Sequence, residues 1–229
     1  MPCTGASEIE SSVDTARSEQ INATAFQRYL TLLAIKLLKR FRKRNGTVLF
    51  LSKNVCVKYG SNISLSEASS IQFAAKYTLV PVPRRIHGDP VGLGWLKRLE
   101  ESWVKILHQL KDMVGEMRRI IPLIGIGVAY VDGGPLHNPW LPGTLNSFGP
   151  FKTVQDFHRH LRGGFEAHLV HKLEISELIL QQDKLQSALV FTYGDLSSLN
   201  VLASGDKVVG IINWETAGWY PSYWEYTTA

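Results

Sequence analysis

Apolar positions in this chain follow a helical period at first, then alternate, then turn helical again. In "FQRYLTLLAIKLLKRFRKR" the residues Phe26, Leu30, Leu33, Leu37 and Phe41 recur at helical spacing, and Lys36, Lys39, Arg40, Arg42, Lys43 and Arg44 crowd the end. The pattern predicts a basic amphipathic helix. The simplest expectation is a packed helix whose cations complement the negative C-terminal end of its dipole. Nuclear import and contact with anionic lipid are the alternatives. After the turn signal Asn45-Gly46, "TVLFLSKNVCVKYG" gives two β-rich runs separated by "SKN", the mark of a hairpin. "SLSEASSIQFAAKY" then reads as a helix with Ser64 or Ser66 as N-cap and Glu67 in its opening turn. It ends before "VPVPRR", where Pro81 and Pro83 impose extended backbone.

From Trp95 to Arg119 the residues Leu96, Leu99, Trp103, Ile106, Leu110, Met113 and Met117 step by three and four. They predict a long core helix rather than a coiled coil, because the flanking chain looks globular. "PLHNPWLPGTLNSFGPF" reads as a long loop, of the kind that carries function when ordered. A helix over roughly Val154 to Leu169 and a third segment to about Gln181 follow. The stretch "VFTYGDLSSLNVLASGDKVVGIINWE" then reads as a small meander: strand, polar loop, strand, tight turn, strand. Asp195, Asn200, Asn213 and Glu215 stand at its corners.

Composition narrows the class. With 229 residues, 45% hydrophobic and 20% charged, the chain can bury a real core as one domain or two small lobes. The net charge is +5 and the pI about 9.2, but the basic excess is local, so no specific nucleic-acid partner is expected. Cys3 and Cys56 make no disulfide framework, which suits a reducing, cytoplasmic setting. Residues 1–22 lack periodic apolar positions and a secretory pattern, and are expected to be disordered. The apolar run from Tyr29 stops at Lys36, too short for a membrane span. His158 with His160, and His168 with His171, lie close in sequence, yet no acid or cysteine cluster completes a metal site, so surface or half-buried histidines are expected.

Asp195 and Asn200 lie five apart, and the turn at Gly205-Asp206 would bring Asn213 back beside Asn200. Phosphoryl transfer needs a carboxylate to take the proton of an attacking hydroxyl, and oxygen-bearing side chains to hold Mg²⁺ against the phosphates. From spacing alone, turn capping by Asp195 and Asn200 explains the pattern equally well.

The segments "YGDLSSLNVL" and "GIINWETAGWYPSYWEY" resemble the aminoglycoside phosphotransferase-like family, particularly its fungal members, which share the protein-kinase fold. "VCVKYG", "LSEASSIQFAA…VPVP" and "GPFKTVQDFHRHL" resemble further family segments, so the similarity runs from about Thr47 to Tyr226. It implies an α+β, protein-kinase-like two-lobed fold. Residues 23–90 would form the basic helix and a reduced N-lobe of hairpin plus helix, and residues 91–229 a mostly helical C-lobe with the catalytic-loop meander. In the family's terms Asp195 would be the catalytic base, Asn200 and Asn213 would be Mg²⁺ ligands, and Lys58, held by Glu67, would steady the phosphates of ATP while a small-molecule acceptor offers a hydroxyl.

Four departures point to a degenerate, truncated member. Tyr193 stands where the family has His before Gly-Asp, and Asn213 stands where it has the metal-binding aspartate, costing one anionic ligand. Only Arg84 to Gly94 bridges Pro83 to Trp95, too few residues for the family's two strands and adenine-holding hinge. The family also continues past the WEY motif into helices that wall the acceptor site, so the acceptor pocket here is expected to be open or missing. Three readings follow: a small-molecule phosphotransferase with altered metal use, a catalytically degenerate kinase-like protein that binds a ligand or partner or does different chemistry in the same cleft, and a scaffold needing a protein partner to cover the truncated lobe.

Overall fold

The structure is a computed structural model describing residues 24–42, 44–52, 56–60, 63, 66–82, 88–139, 141, 147–166 and 173–228. Helix and strand are mixed along the chain. Helix α1 (Ala25–Leu38) starts at Thr24, whose hydroxyl oxygen accepts from the Gln27 N–H at 3.2 Å. It buries none of its residues, contrary to the packed helix expected. Strands β1 (Arg44–Asn45), β2 (Val48–Phe50) and β3 (Cys56–Lys58) form an antiparallel sheet in that order, with Val48 opposite Lys58. The β2–β3 pair is the predicted hairpin, and its single deeply buried side chain among the described residues is Leu49. Helix α2 (Ser66–Tyr77) follows, so Ser66 lies inside the helix rather than capping it, while Ser64 falls outside the described residues.

Between Gly88 and Leu99 the chain makes the short strand β4 (Asp89–Pro90) and a 3-10 helix over Val91–Lys97. The long helix α3 (Glu100–Arg118) therefore begins later than the periodicity implied, and Leu96 and Leu99 are exposed. The cause is local. Gly92 and Gly94 weaken an α-helix there, and the Gly92 N–H is taken by the Ser198 carbonyl at 2.8 Å. From Trp103 onward the stripe behaves as read, with Ile106 and Met117 buried without accessible surface.

Within the Pro-rich loop, strands β5 (Leu136–His137) and β6 (Ser147–Phe148) pair antiparallel. Helix α4 (Val154–Leu161) is capped by Thr153 and ends at Gly163 and Gly164, both at positive φ, well short of Leu169. Helix α5 is Leu173–Lys184. Strands β7 (Leu189–Thr192), β8 (Val201–Ser204), β9 (Lys207–Ile211) and β10 (Gly218–Pro221) lead to helix α6 (Trp224–Thr228). The expected three-strand meander is in fact split. β8 and β9 form a hairpin flanked by β4, whereas β7 pairs with β10, Thr192 opposite Gly218. The polar loop after β7 crosses between the two sheets.

That crossing sits on the main apolar core. Ala74 of α2, Met117 of α3, Phe191, Tyr193, Ile211, Trp214 and Trp219 form one buried cluster. Phe191 stacks on Trp214 with centroids 6.4 Å apart, and Tyr193 meets Trp214 edge-on at 4.9 Å. This aromatic packing fixes side chains on both sides of the polar loop.

Candidate active site

The segment Tyr193–Asn200 is held from below by a buried carboxylate. Glu225, at the start of α6 and 5% exposed, accepts from the Tyr193 N–H at 2.9 Å and the Gly194 N–H at 3.1 Å. Burial raises the Glu225 pKa, and the two N–H donors pull it back down in part. Gly194 is obligatory here, with φ at +83°, and a Cβ would stand 2.9 Å from the Thr216 carbonyl oxygen. The Thr216 hydroxyl donates to the Tyr193 carbonyl at 2.9 Å, and the Tyr193 hydroxyl donates to the Ile212 carbonyl. Tyr193 thus ties the loop to the residues that follow β9 and lead to Asn213.

Above this floor the predicted polar residues meet. Asn200 donates through Nδ2 to the Asp195 carboxylate at 2.7 Å and to the Asp195 backbone carbonyl at 3.0 Å. Asn213 donates through Nδ2 to Asn200 Oδ1 at 2.7 Å. Asn213 takes φ +61° and ψ +60°, the left-handed region, which asparagine tolerates better than most side chains. Burial raises the Asp195 pKa and the neighbouring Glu215 charge adds to it, while the Asn200 hydrogen bond opposes both.

Lys58 of β3 faces the same place. Its ammonium reaches Glu67 of α2 at 2.7 Å and Glu215, two residues past Asn213, at 3.1 Å. Burial works to lower the Lys58 pKa, but the two glutamates outweigh it and the net shift is upward, so Lys58 stays charged at neutral pH. The Lys58 side chain is 24% accessible, so it is not sealed in the core. The sequence places Glu215 only at a corner of the meander. Its pairing with Lys58 spans 157 positions, which no local spacing reveals.

The structure therefore brings Asp195, Asn200 and Asn213 into one hydrogen-bonded row and joins Lys58, Glu67 and Glu215 beside it. Turn geometry alone does not account for Asn213, beyond β9, bonding to Asn200, before β8.

A divalent cation meets a poor donor set here. Hard cations are held by oxygen, chiefly carboxylate. Asn200 and Asn213 offer neutral amides, the Asn200 Oδ1 is taken by Asn213, and the Glu215 carboxylate is engaged by Lys58. Among the described residues no group of three or more His, Cys, Asp or Glu could hold a metal ion. The residues present do not fit a Mg²⁺ held by Asn200 and Asn213.

A separate, mostly apolar cavity of about 580 Å³ lies between α3 and the polar loop, lined by Val91, Ile106, Leu110, Leu196, Val201 and Tyr226 among others. Asp195, Asn200, Asn213 and Lys58 do not line it. The histidines depart from expectation in one respect: His158 has no accessible surface and shares a hydrogen bond through Nε2 with the Tyr223 hydroxyl, while His168 and His171 lie outside the described residues.

No protein-family model matches the chain, and no curated protein is significantly similar to it in sequence. Among solved structures, it is similar to a thermostable mutant of the aminoglycoside phosphotransferase APH(4)-Ia in ternary complex with ADP and hygromycin B. The identity is 13%, the TM-score 0.44, and the match covers 68% of this chain and 58% of the other, so the chain spans less than two thirds of that protein's length.

Proposed function

We propose that the chain is an aminoglycoside phosphotransferase-like protein whose cleft takes the phosphates of a nucleotide such as ATP on Lys58 and directs the hydroxyl of a small polar molecule at Asp195. The observation that carries this reading is the pairing of Lys58 with Glu67 and Glu215 beside the Asp195–Asn200–Asn213 row. A cation braced by two carboxylates and still partly accessible suits phosphate oxygens. A carboxylate whose pKa is raised by burial suits proton acceptance. In the transfer, the acceptor oxygen bonds to the γ-phosphorus, the bridging bond to the β-phosphate breaks, and the hydroxyl proton passes to Asp195, leaving a phosphate ester and the nucleoside diphosphate. The two-lobed division at about residue 90 belongs to the same proposal.

A second reading is favoured by one observation. The Asn213–Asn200 hydrogen bond occupies the oxygen a metal would need. On that reading the cleft binds its ligand without transferring phosphate. The two are separated by measuring phosphate transfer from ATP to a panel of hydroxyl-bearing aminoglycosides. The first predicts turnover abolished in Asp195→Ala with ATP binding retained. The second predicts ATP binding with no turnover in either protein, and turnover gained in Asn213→Asp. Absence of ATP binding in the unaltered protein contradicts both.

A further inference from the structure

Helix α1 is the least explained element of the molecule. Phe26 is 70% exposed, Leu37 59% and Phe41 82%, and Tyr29, Leu30, Leu32 and Leu33 are exposed with them. Ala34, Ile35 and Leu38 are its half-buried positions and lie along one flank of the helix, while the apolar stripe beside them stays exposed. No Asp or Glu occurs between Glu19 and Glu67, whereas nine Lys and Arg do, which leaves 16 basic against 20 acidic residues in the rest of the chain. A net positive charge is thus confined to the segment that carries the bare apolar stripe. Lys36, Lys39, Arg40 and Arg42 cluster at and just beyond the C-terminal end of the helix.

We infer that α1 docks the protein on an anionic lipid surface, lying in the interface with Phe26, Leu30, Leu33, Leu37 and Phe41 in the acyl boundary and the cations against headgroup phosphates. Charge complementarity selects a negatively charged partner. The apolar stripe selects among such partners, because a nucleic-acid backbone offers nothing for five large apolar side chains to bury against, while a bilayer interface accepts both features together. Among the described residues no helix is long and apolar enough to cross a membrane, so the association is with the surface. This inference is independent of the cleft.

The test is co-sedimentation of the full chain with phosphatidylcholine vesicles, with and without phosphatidylserine. Two variants change only exposed side chains: a charge variant with Lys36, Lys39, Arg40 and Arg42→Gln, and a stripe variant with Phe26, Leu33 and Leu37→Ser. Circular dichroism and thermal unfolding verify that each is folded. The expected result is binding to the serine-containing vesicles only, weakened at least about tenfold in each variant. Equal binding to neutral vesicles, no vesicle binding, or loss in the charge variant with full retention in the stripe variant would overturn the inference. The last pattern, with matching affinity for duplex DNA, would assign the segment to nucleic acid instead.

Discussion

Asn213 donates a hydrogen bond to the side-chain oxygen of Asn200 at 2.7 Å, and through Asn200 the row reaches the Asp195 carboxylate. Two neutral amides thus meet where phosphoryl transfer calls for oxygen ligands to a cation. In Asn213→Asp, a carboxylate oxygen would face Asn200 Oδ1, two acceptors without a proton between them. Without divalent cation the variant is expected to lose about 1–3 kcal/mol of stability. Added Mg²⁺ should recover much of that loss and tighten ATP binding about tenfold or more. Thermal unfolding of both proteins, with and without Mg²⁺, checks the prediction.

Glu225 positions the loop by accepting two backbone N–H groups, and its removal leaves both buried donors unpaired. Glu225→Ala should therefore cost about 2–4 kcal/mol. Glu225→Gln, which keeps one acceptor, should cost less. Denaturant unfolding orders the two, and a smaller effect for alanine would contradict the assignment.

Burial holds the His158 pKa below its ordinary 6.5, so the neutral ring is the folded form. A depressed folded pKa gives stability that is complete above the unfolded value and is lost as pH falls through the folded one. Melting temperature should decline as pH drops from about 7 toward about 5. The buried carboxyls of Glu225 and Asp195, with raised pKa values, act in the opposite sense. His158→Gln isolates the histidine: the difference between the two melting profiles should narrow toward acid pH.

Much of the site was legible in the sequence. The hairpin bearing Lys58, the helix bearing Glu67 and the loop from Asp195 to Asn200 all follow from local pattern and turn chemistry. Other features depend on contacts between distant segments. The sheet partner of β7 is decided by Trp219 and Phe191 packing in a shared core, which alternation within either strand does not encode. The exposed face of α1 shows the reverse limit, since periodicity finds an apolar stripe but not whether anything covers it. The role of Glu225 has no sequence signature, because a carboxylate that caps a loop from below has no spacing rule, and the pairing of Glu215 has none because its lysine lies on a remote strand.

Whether the Lys58 ammonium, held by Glu67 and Glu215, receives nucleotide phosphate is decided by titration calorimetry with ATP. Saturable binding to the unaltered protein, reduced at least about tenfold in Lys58→Met while its melting temperature is held, is the predicted result. Equal ATP affinity in Lys58→Met, or no heat of binding in either protein, would contradict it.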